Sequence, residues 1–161
     1  MATAELDGLI TRTTVILERP GDWEEWIFLR KDSADRHHLW FIVNPDLNEE
    51  ALEKLEEPEV VEPEQYHDEK EEDTGVVLKD MTTEEFQRYQ QAERNYDRAM
   101  ARYTVKRKAL NDFTQEIGRT ISRRHIHLIQ SDDTAYARLK RLKMHLYLST
   151  AKRELQLIAK Y

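Results

Sequence analysis

At 161 residues the chain is sized for one domain, and four glycines and four prolines are too few corners for a strand-rich fold. It has no cysteine, which excludes disulfides, thiol nucleophiles and cysteine-based zinc sites. Charged side chains make up 35% of the chain and sum to −7, but unevenly: residues 1–45 carry net −3, residues 46–80 net −12 and residues 81–161 net +8. A basic half beside an acidic segment suits an anionic partner, or an acidic segment that shields the basic half. It equally suits helices kept in solution by charges on their wet faces. No apolar run approaches the roughly 18 residues that span a bilayer. The segment Met1 to Leu9 has Glu5 and Asp7 and no basic residue, so it does not resemble a secretory or organelle signal. The expectation is a cytoplasmic protein with no membrane partner.

In chain order, residues 1–21 read as an extended N-terminal segment. Ile10 to Leu17 is rich in β-branched residues, which favours an extended run or a short strand, and Pro20-Gly21 stops it. Asp22 is placed to cap a helix whose first turn holds Glu24 and Glu25, where the helix dipole favours anions. Trp23, Trp26, Ile27, Arg30 and Ala34 follow at helical spacing, with the two tryptophans three apart and so on one face. Leu39 to Val43 is a second apolar burst, read as a short helix, closed by Asn44-Pro45.

Residues 46–80 hold three basic and fifteen acidic side chains, with Pro58 and Pro63 inside. A helical turn or two is expected between Leu47 and Leu55. From Glu56 to Asp80 the apolar surface is too small to offset ordering entropy, so an acidic, flexible insertion is expected. Thr82 to Glu85 forms a capping-box pattern before a long periodic run. Tyr89, Tyr96, Tyr103, Leu110 and Ile117 recur every seven residues, with Phe86, Met100 and Ile121 on the adjoining seam. A helix from Thr83 to Ile121 would be roughly 57 Å long, so it is expected to project or to bend near Thr104-Val105. Ser122 is a candidate cap for a segment with Ile126, Leu128 and Ile129. Ser131 or Asp132 is expected to open a helix with Ala135, Leu139, Leu142 and Leu146 on one face. Ser149-Thr150 is expected to open a last helix with Leu155 and Ile158, still in progress at Tyr161 as in one module of a longer chain. No internal repeat is present.

No local signature of catalysis emerges. His37 and His38 are adjacent and His125 and His127 are two apart, whereas helical chelation needs residues four apart. Asp132-Asp133 sits where a helix start predicts capping rather than acid–base work. There is no nucleophile elbow and no glycine-rich phosphate loop. No catalytic residue, metal ligand, cofactor or small-molecule substrate is therefore expected. The basic side chains are the remaining candidates: Arg102, Lys106, Arg107 and Lys108 on the long helix, Arg119, Arg123 and Arg124 at its end, and Arg138, Lys140, Arg141 and Lys143 on the next. They would bind nucleic acid or serve assembly only if several converge on one face, and no aromatic side chains interleave them for base stacking. Trp23, Trp26 and Trp40 are expected to fill the core.

Several of these residues together resemble a known family. Leu17, Asp22 to Ile27 with Trp23 and Trp26, Ala34, and Leu39 to Ile42 ending at Pro45 are similar to the start of the Gag protein of copia-type LTR retrotransposons, fungal ones especially. There a Trp-x-x-Trp opens one helix and a Leu/Ile-Trp closes the next element. Tyr96 to Ile121 resembles that family's long helix. Ile129 through Thr134-Ala135, Leu139 and Leu142 resembles the helix after it, and Lys152 to Tyr161 the charged helix that follows. The resemblance spans most of residues 16–161 outside the acidic insertion, which is longer than the family pattern. It implies the N-terminal region of a capsid, followed in the full-length protein by a second capsid half and often by a Cys-x-x-Cys zinc knuckle for RNA. This chain, lacking cysteine, holds no such knuckle.

The expected fold is all-α, five or six helices with one long helix, capsid-like. Residues 22–45 and 81–161 form its single domain and residues 46–80 the insertion. Its core is built on Trp23, Trp26, Leu39, Trp40, Tyr96, Tyr103, Leu110, Leu139 and Leu142. The expected function is structural: self-association by helix–helix contacts, with RNA packaged in a full-length context. The alternatives are a helical protein–protein interaction module, including a domesticated Gag, and a weak nucleic-acid binder through the basic half.

Overall fold

The structure, a computed structural model, describes residues 14–67, 78–147 and, near the C-terminus, 152, 155 and 157–159. Among these residues the chain is all-α: α1 (Trp23–Asp35), α2 (Trp40–Val43), α3 (Thr83–Arg119), α4 (Ile126–Ile129) and α5 (Ala135–Leu146), linked by 3-10 turns. Residues 152, 155 and 157–159 are helical, while Ser149 and Thr150, the expected start of that last helix, lie outside the described residues. The N-terminal segment enters this helical frame as a single extended contact. Leu17 makes an isolated parallel bridge to Ile121, with its N–H donating to Thr120 O at 2.8 Å and its carbonyl accepting from Ser122 N at 2.9 Å. Ile10 to Thr13, the rest of the expected extended run, lie outside the described residues.

Residues 1–54 and 108–161 make one compact unit and residues 55–107 a second. The expected insertion 46–80 is thus divided between them. α3 runs unbroken through Thr104-Val105 and contributes to both units.

In the first unit, α1 is preceded by a 3-10 turn, Pro20–Asp22. Asp22 is the N-cap residue of α1, but its carboxylate bonds no α1 amide. It turns back instead to accept from Glu18 N at 3.2 Å and Arg19 N at 2.9 Å, fixing the entry of the chain. α1 buries Trp23, Trp26, Arg30 and Ala34, one stripe at helical spacing. It ends in a Schellman-type cap: Leu39 N donates to Ala34 O at 2.9 Å and His38 N to Asp35 O at 3.2 Å. His38 takes the left-handed conformation there, φ 55°, where glycine is usual. Leu39 and Ala34, the two residues joined by that cap, are both fully buried, which anchors the corner. α2 follows directly, short as expected, and Asn44 closes it with its side chain accepting from Asp46 N at 3.0 Å.

The core of this unit gathers Leu17, the α1 stripe, Leu39, Trp40 and Val43, with Phe113, Ile117 and Ile121 from the end of α3, Ile129 from α4, and Ala135, Leu139, Leu142 and Leu146 from α5. Trp23 and Trp26 lie 5.6 Å apart by ring centroid, and Tyr147 meets Trp23 edge-on at 6.5 Å. Leu110 packs against the cluster from a half-buried position. Tyr96 and Tyr103, also expected in the core, are half-buried on α3 and stand outside it. The reason is length. The 37 residues of α3 run roughly 55 Å, whereas α1 and α5, with 13 and 12 residues, run roughly 20 Å and 18 Å. Such short partners cover only a few turns, and the sevenfold aromatic repeat continues past them. α5 is opened by Thr134, whose hydroxyl accepts from Ala137 N at 3.2 Å, rather than by Ser131 or Asp132.

In the second unit the start of α3 is joined to the 3-10 turn Pro63–Tyr66. Half of the expected capping box forms: Glu85 N donates to Thr82 Oγ1 at 3.2 Å. The Glu85 carboxylate instead accepts from His67 Nδ1 at 2.6 Å. One helical turn along, Tyr66 and Tyr89 pack with centroids 6.2 Å apart. The Leu47 to Leu55 stretch, in the first unit up to Lys54, holds a single 3-10 turn, Glu49–Ala51.

Candidate interaction surfaces

The basic side chains of α5 face their own fold. Arg138 donates from Nε to Asp132 O at 2.8 Å and from Nη1 to Thr114 O at 3.1 Å, tying α5 to α3. Arg141 donates to the Asp132 carboxylate at 2.7 Å, and that hydrogen bond raises the guanidinium pKa above its ordinary value. Asp132, expected as a helix cap, is therefore an ion-pair partner. Lys140 reaches the Tyr136 hydroxyl at 2.8 Å and lies over its ring. Tyr136 in turn donates to Leu47 O at 2.8 Å, and Lys143 pairs with Asp46, so α5 also holds the segment after α2. These four cations are structural fasteners of the first unit.

Arg119, Arg123 and Arg124 behave differently. All three are exposed. The Leu17 bridge to Ile121 sets them beside residues 18–19, and Arg124 Nη2 donates to Glu18 O at 2.9 Å with His125 Nε2 on the same carbonyl at 2.7 Å. That brings exposed Arg19, about a hundred residues away in sequence and unremarkable there, to the same edge. None of Arg19, Arg119, Arg123 and Arg124 has a carboxylate partner among the described residues. Among the described residues Arg119 bonds the Gln115 side-chain oxygen, at 3.1 Å.

The opposite charge is concentrated between Glu49 and Glu62. Glu49, Glu50, Glu53, Glu56, Glu57, Glu59 and Glu62 are exposed, and none forms an ion pair among the described residues.

A buried polar cluster that sequence reading did not anticipate lies under α1. Trp26 Nε1 donates to Thr120 O at 3.0 Å and to Thr120 Oγ1 at 3.1 Å, and Arg30 Nη1 donates to the same hydroxyl at 2.9 Å. Thr120 Oγ1 donates in turn to Glu116 O at 2.8 Å. The Glu116 carboxylate stands 3.8 Å from Arg30 and accepts from Ser33 at 3.3 Å. Arg30 is 6% exposed. Burial lowers its pKa from the ordinary arginine value, and Glu116 opposes that shift. Arg30 Nε and Glu116 Oε2 have no hydrogen-bond partner. The arrangement ties α1 to the end of α3. The one signal in the sequence is an arginine on the apolar stripe of α1.

In the second unit Glu85 is 5% exposed. Its carboxyl is held below the ordinary value first by the His67 hydrogen bond, against burial, with help from Thr82. The Tyr89 phenol is pushed up by its hydrogen bond to Glu93 and then by burial. Elsewhere, large apolar side chains face outward: Phe28 on α1 at 67% exposure, Phe41 on α2 at 64%, Val105 on α3 at 70% and Met144 on α5 at 72%. Lys31 lies over the Trp40 ring between α1 and α2. His37, His38, His125 and His127 form no metal group, and no cluster of three metal-binding side chains occurs among the described residues. No helix among them is long and apolar enough to cross a membrane. The chain matches no protein-family model, no curated protein and no solved structure.

Proposed function

We propose that this chain is a non-enzymatic structural module that self-associates, in the manner of the capsid region of copia-type retrotransposon Gag proteins. One observation carries the proposal. Eleven of the residues that bear the resemblance, Leu17, Trp23, Trp26, Ala34, Leu39, Trp40, Ile121, Ile129, Ala135, Leu139 and Leu142, belong to a single core cluster, while Phe41 and Tyr96 stand outside it. A motif scattered over more than a hundred residues thus corresponds to one packed unit. Phe28, Phe41, Val105 and Met144, on four different helices, supply outward apolar contacts of the kind repeated weak association uses. RNA packaging, on this proposal, belongs to a full-length context and not to these 161 residues alone. A helical interaction module built on α3 is the second reading, favoured by Val105 and the half-buried Tyr96 and Tyr103 along one helix.

The test is light scattering on the purified chain over a concentration series, with negative-stain imaging of large species. Uniform rings or shells that grow with concentration are the expected result. A monomer or a fixed small oligomer at every concentration would defeat the self-association reading and favour the interaction module.

A further inference from the structure

Two exposed, oppositely charged features have no ionic partner among the described residues. The first is the arginine edge at the Leu17–Ile121 bridge. Arg119 to Arg124 spans five residues, at most about 18 Å of chain, and Arg19 joins it through the Glu18 carbonyl that Arg124 and His125 share. Of the two carboxylates on that segment, Asp22 is already used on the Glu18 and Arg19 amides. The four arginines of the edge carry guanidinium groups, whose planar fork fits a carboxylate through two parallel hydrogen bonds.

The second feature is the run 56–62. Its carboxylates Glu56, Glu59 and Glu62 recur every three residues, with Pro58 inside and Pro63 following. At the end of the run Glu62 is extended, with φ −111° and ψ 141°. In a polyproline-type geometry, with three residues per turn and about 3.1 Å per residue, these three carboxylates would line one face about 9 Å apart.

We infer that the arginine edge of one copy receives the acidic run 56–62 of a second copy. The contact deepens the self-association proposed above and rests on that reading. The contact joins two different surfaces, so it can close reciprocally in a two-fold pair, edge to run and run to edge, or repeat head to tail into a ring or a filament. A single-stranded nucleic acid is the other polyanion to consider. The edge holds no Phe, Tyr or Trp between residues 14 and 22 or between 118 and 127, so it lacks a platform for bases.

The test uses two charge-reversed variants of the full chain, Arg19→Glu/Arg119→Glu/Arg123→Glu and Glu56→Arg/Glu59→Arg/Glu62→Arg, in sedimentation velocity. All changed positions are exposed. Each variant alone presents like charges at the contact, and its association should weaken by about tenfold or more relative to the unaltered chain. An equimolar mixture restores opposite charges at every contact, and association should return to the original level. That recovery also shows that both variants are folded. High salt should weaken the unaltered chain and the mixture alike. If both variants associate as the unaltered chain does, or the mixture stays dissociated, the arginine edge is not the acceptor and self-association stands without it. If the unaltered chain is monomeric throughout, the self-association reading falls too. If it associates only when a single-stranded oligonucleotide is added, the edge belongs to nucleic acid and the inference is overturned.

Discussion

Thr120→Val isolates the contribution of the buried cluster to stability. Valine keeps the shape of threonine, so packing against Trp26 and Arg30 is preserved while the hydroxyl is lost. Trp26 Nε1 retains Thr120 O at 3.0 Å. Arg30 Nη1 loses its 2.9 Å acceptor and keeps only the long 3.8 Å contact to Glu116. Nε of the same guanidinium is already without a partner. Losing a hydrogen bond from a charged, buried donor costs about 2–3 kcal/mol. For a chain of this size that is roughly 4–12 °C in melting temperature. The assay is urea unfolding followed by tryptophan fluorescence, in which the midpoint should fall with the slope unchanged. Thr120→Ser, which keeps the hydroxyl, should lose only about 1 kcal/mol for its methyl group. The triple variant Arg30→Met/Glu116→Gln/Thr120→Val removes both charges of the cluster and should recover much of the loss. A Thr120→Val protein within about 0.5 kcal/mol of the original, or a triple variant no more stable than the single, would refute the account of the cluster.

Three further outcomes follow from the same structure. Gly118→Ala should stabilise the chain by about 0.5–1 kcal/mol, because the added Cβ would meet its neighbours at an ordinary 3.9 Å; a lower urea midpoint would mean that α3, α4 and α5 pack more tightly there than described. Thr134→Ala should cost about 1 kcal/mol by removing the α5 cap, while Asp133→Ala, which makes no cap bond, should leave the thermal melt unchanged; equal losses would place the cap wrongly. The carboxyl of Glu85 titrates below its unfolded value. Its contribution is therefore complete above the ordinary glutamate pKa of about 4.3 and is lost as pH falls through the lower folded value. Nuclear magnetic resonance of the Tyr66 ring should show release in that acidic window, and Glu85→Gln should abolish the step; an identical acid transition in the variant would exclude Glu85 as its source.

The helical class is legible in the sequence, because scarce glycine and proline and long apolar periodicity leave no other economical way to satisfy the backbone. So are the α1 stripe, the short α2 and the buried face of α5, since each is a local pattern at helical spacing. Contacts made at long range are not. The heptad of α3 reads the same along its whole length, but burial depends on partners, and the short partners of the first unit reach only its last turns. Capping departs from the local pattern for a related reason. Asp22, Asp132 and Glu85 are all in positions that local chemistry would use, yet each carboxylate found a stronger or better-placed donor elsewhere: the backbone of residues 18–19, Arg141 and His67. His38 in the left-handed corner gave no signal at all, because the strain is offset by burying Ala34 and Leu39 on either side of it. The arginine edge is a tertiary fact as well. Only the pairing of Leu17 with Ile121 brings Arg19 to Arg119, Arg123 and Arg124, while the equally basic run of α5 finds its partners within its own unit. Charge can be counted in a sequence, but which charges are left for a partner is decided by which ones folding has already paired.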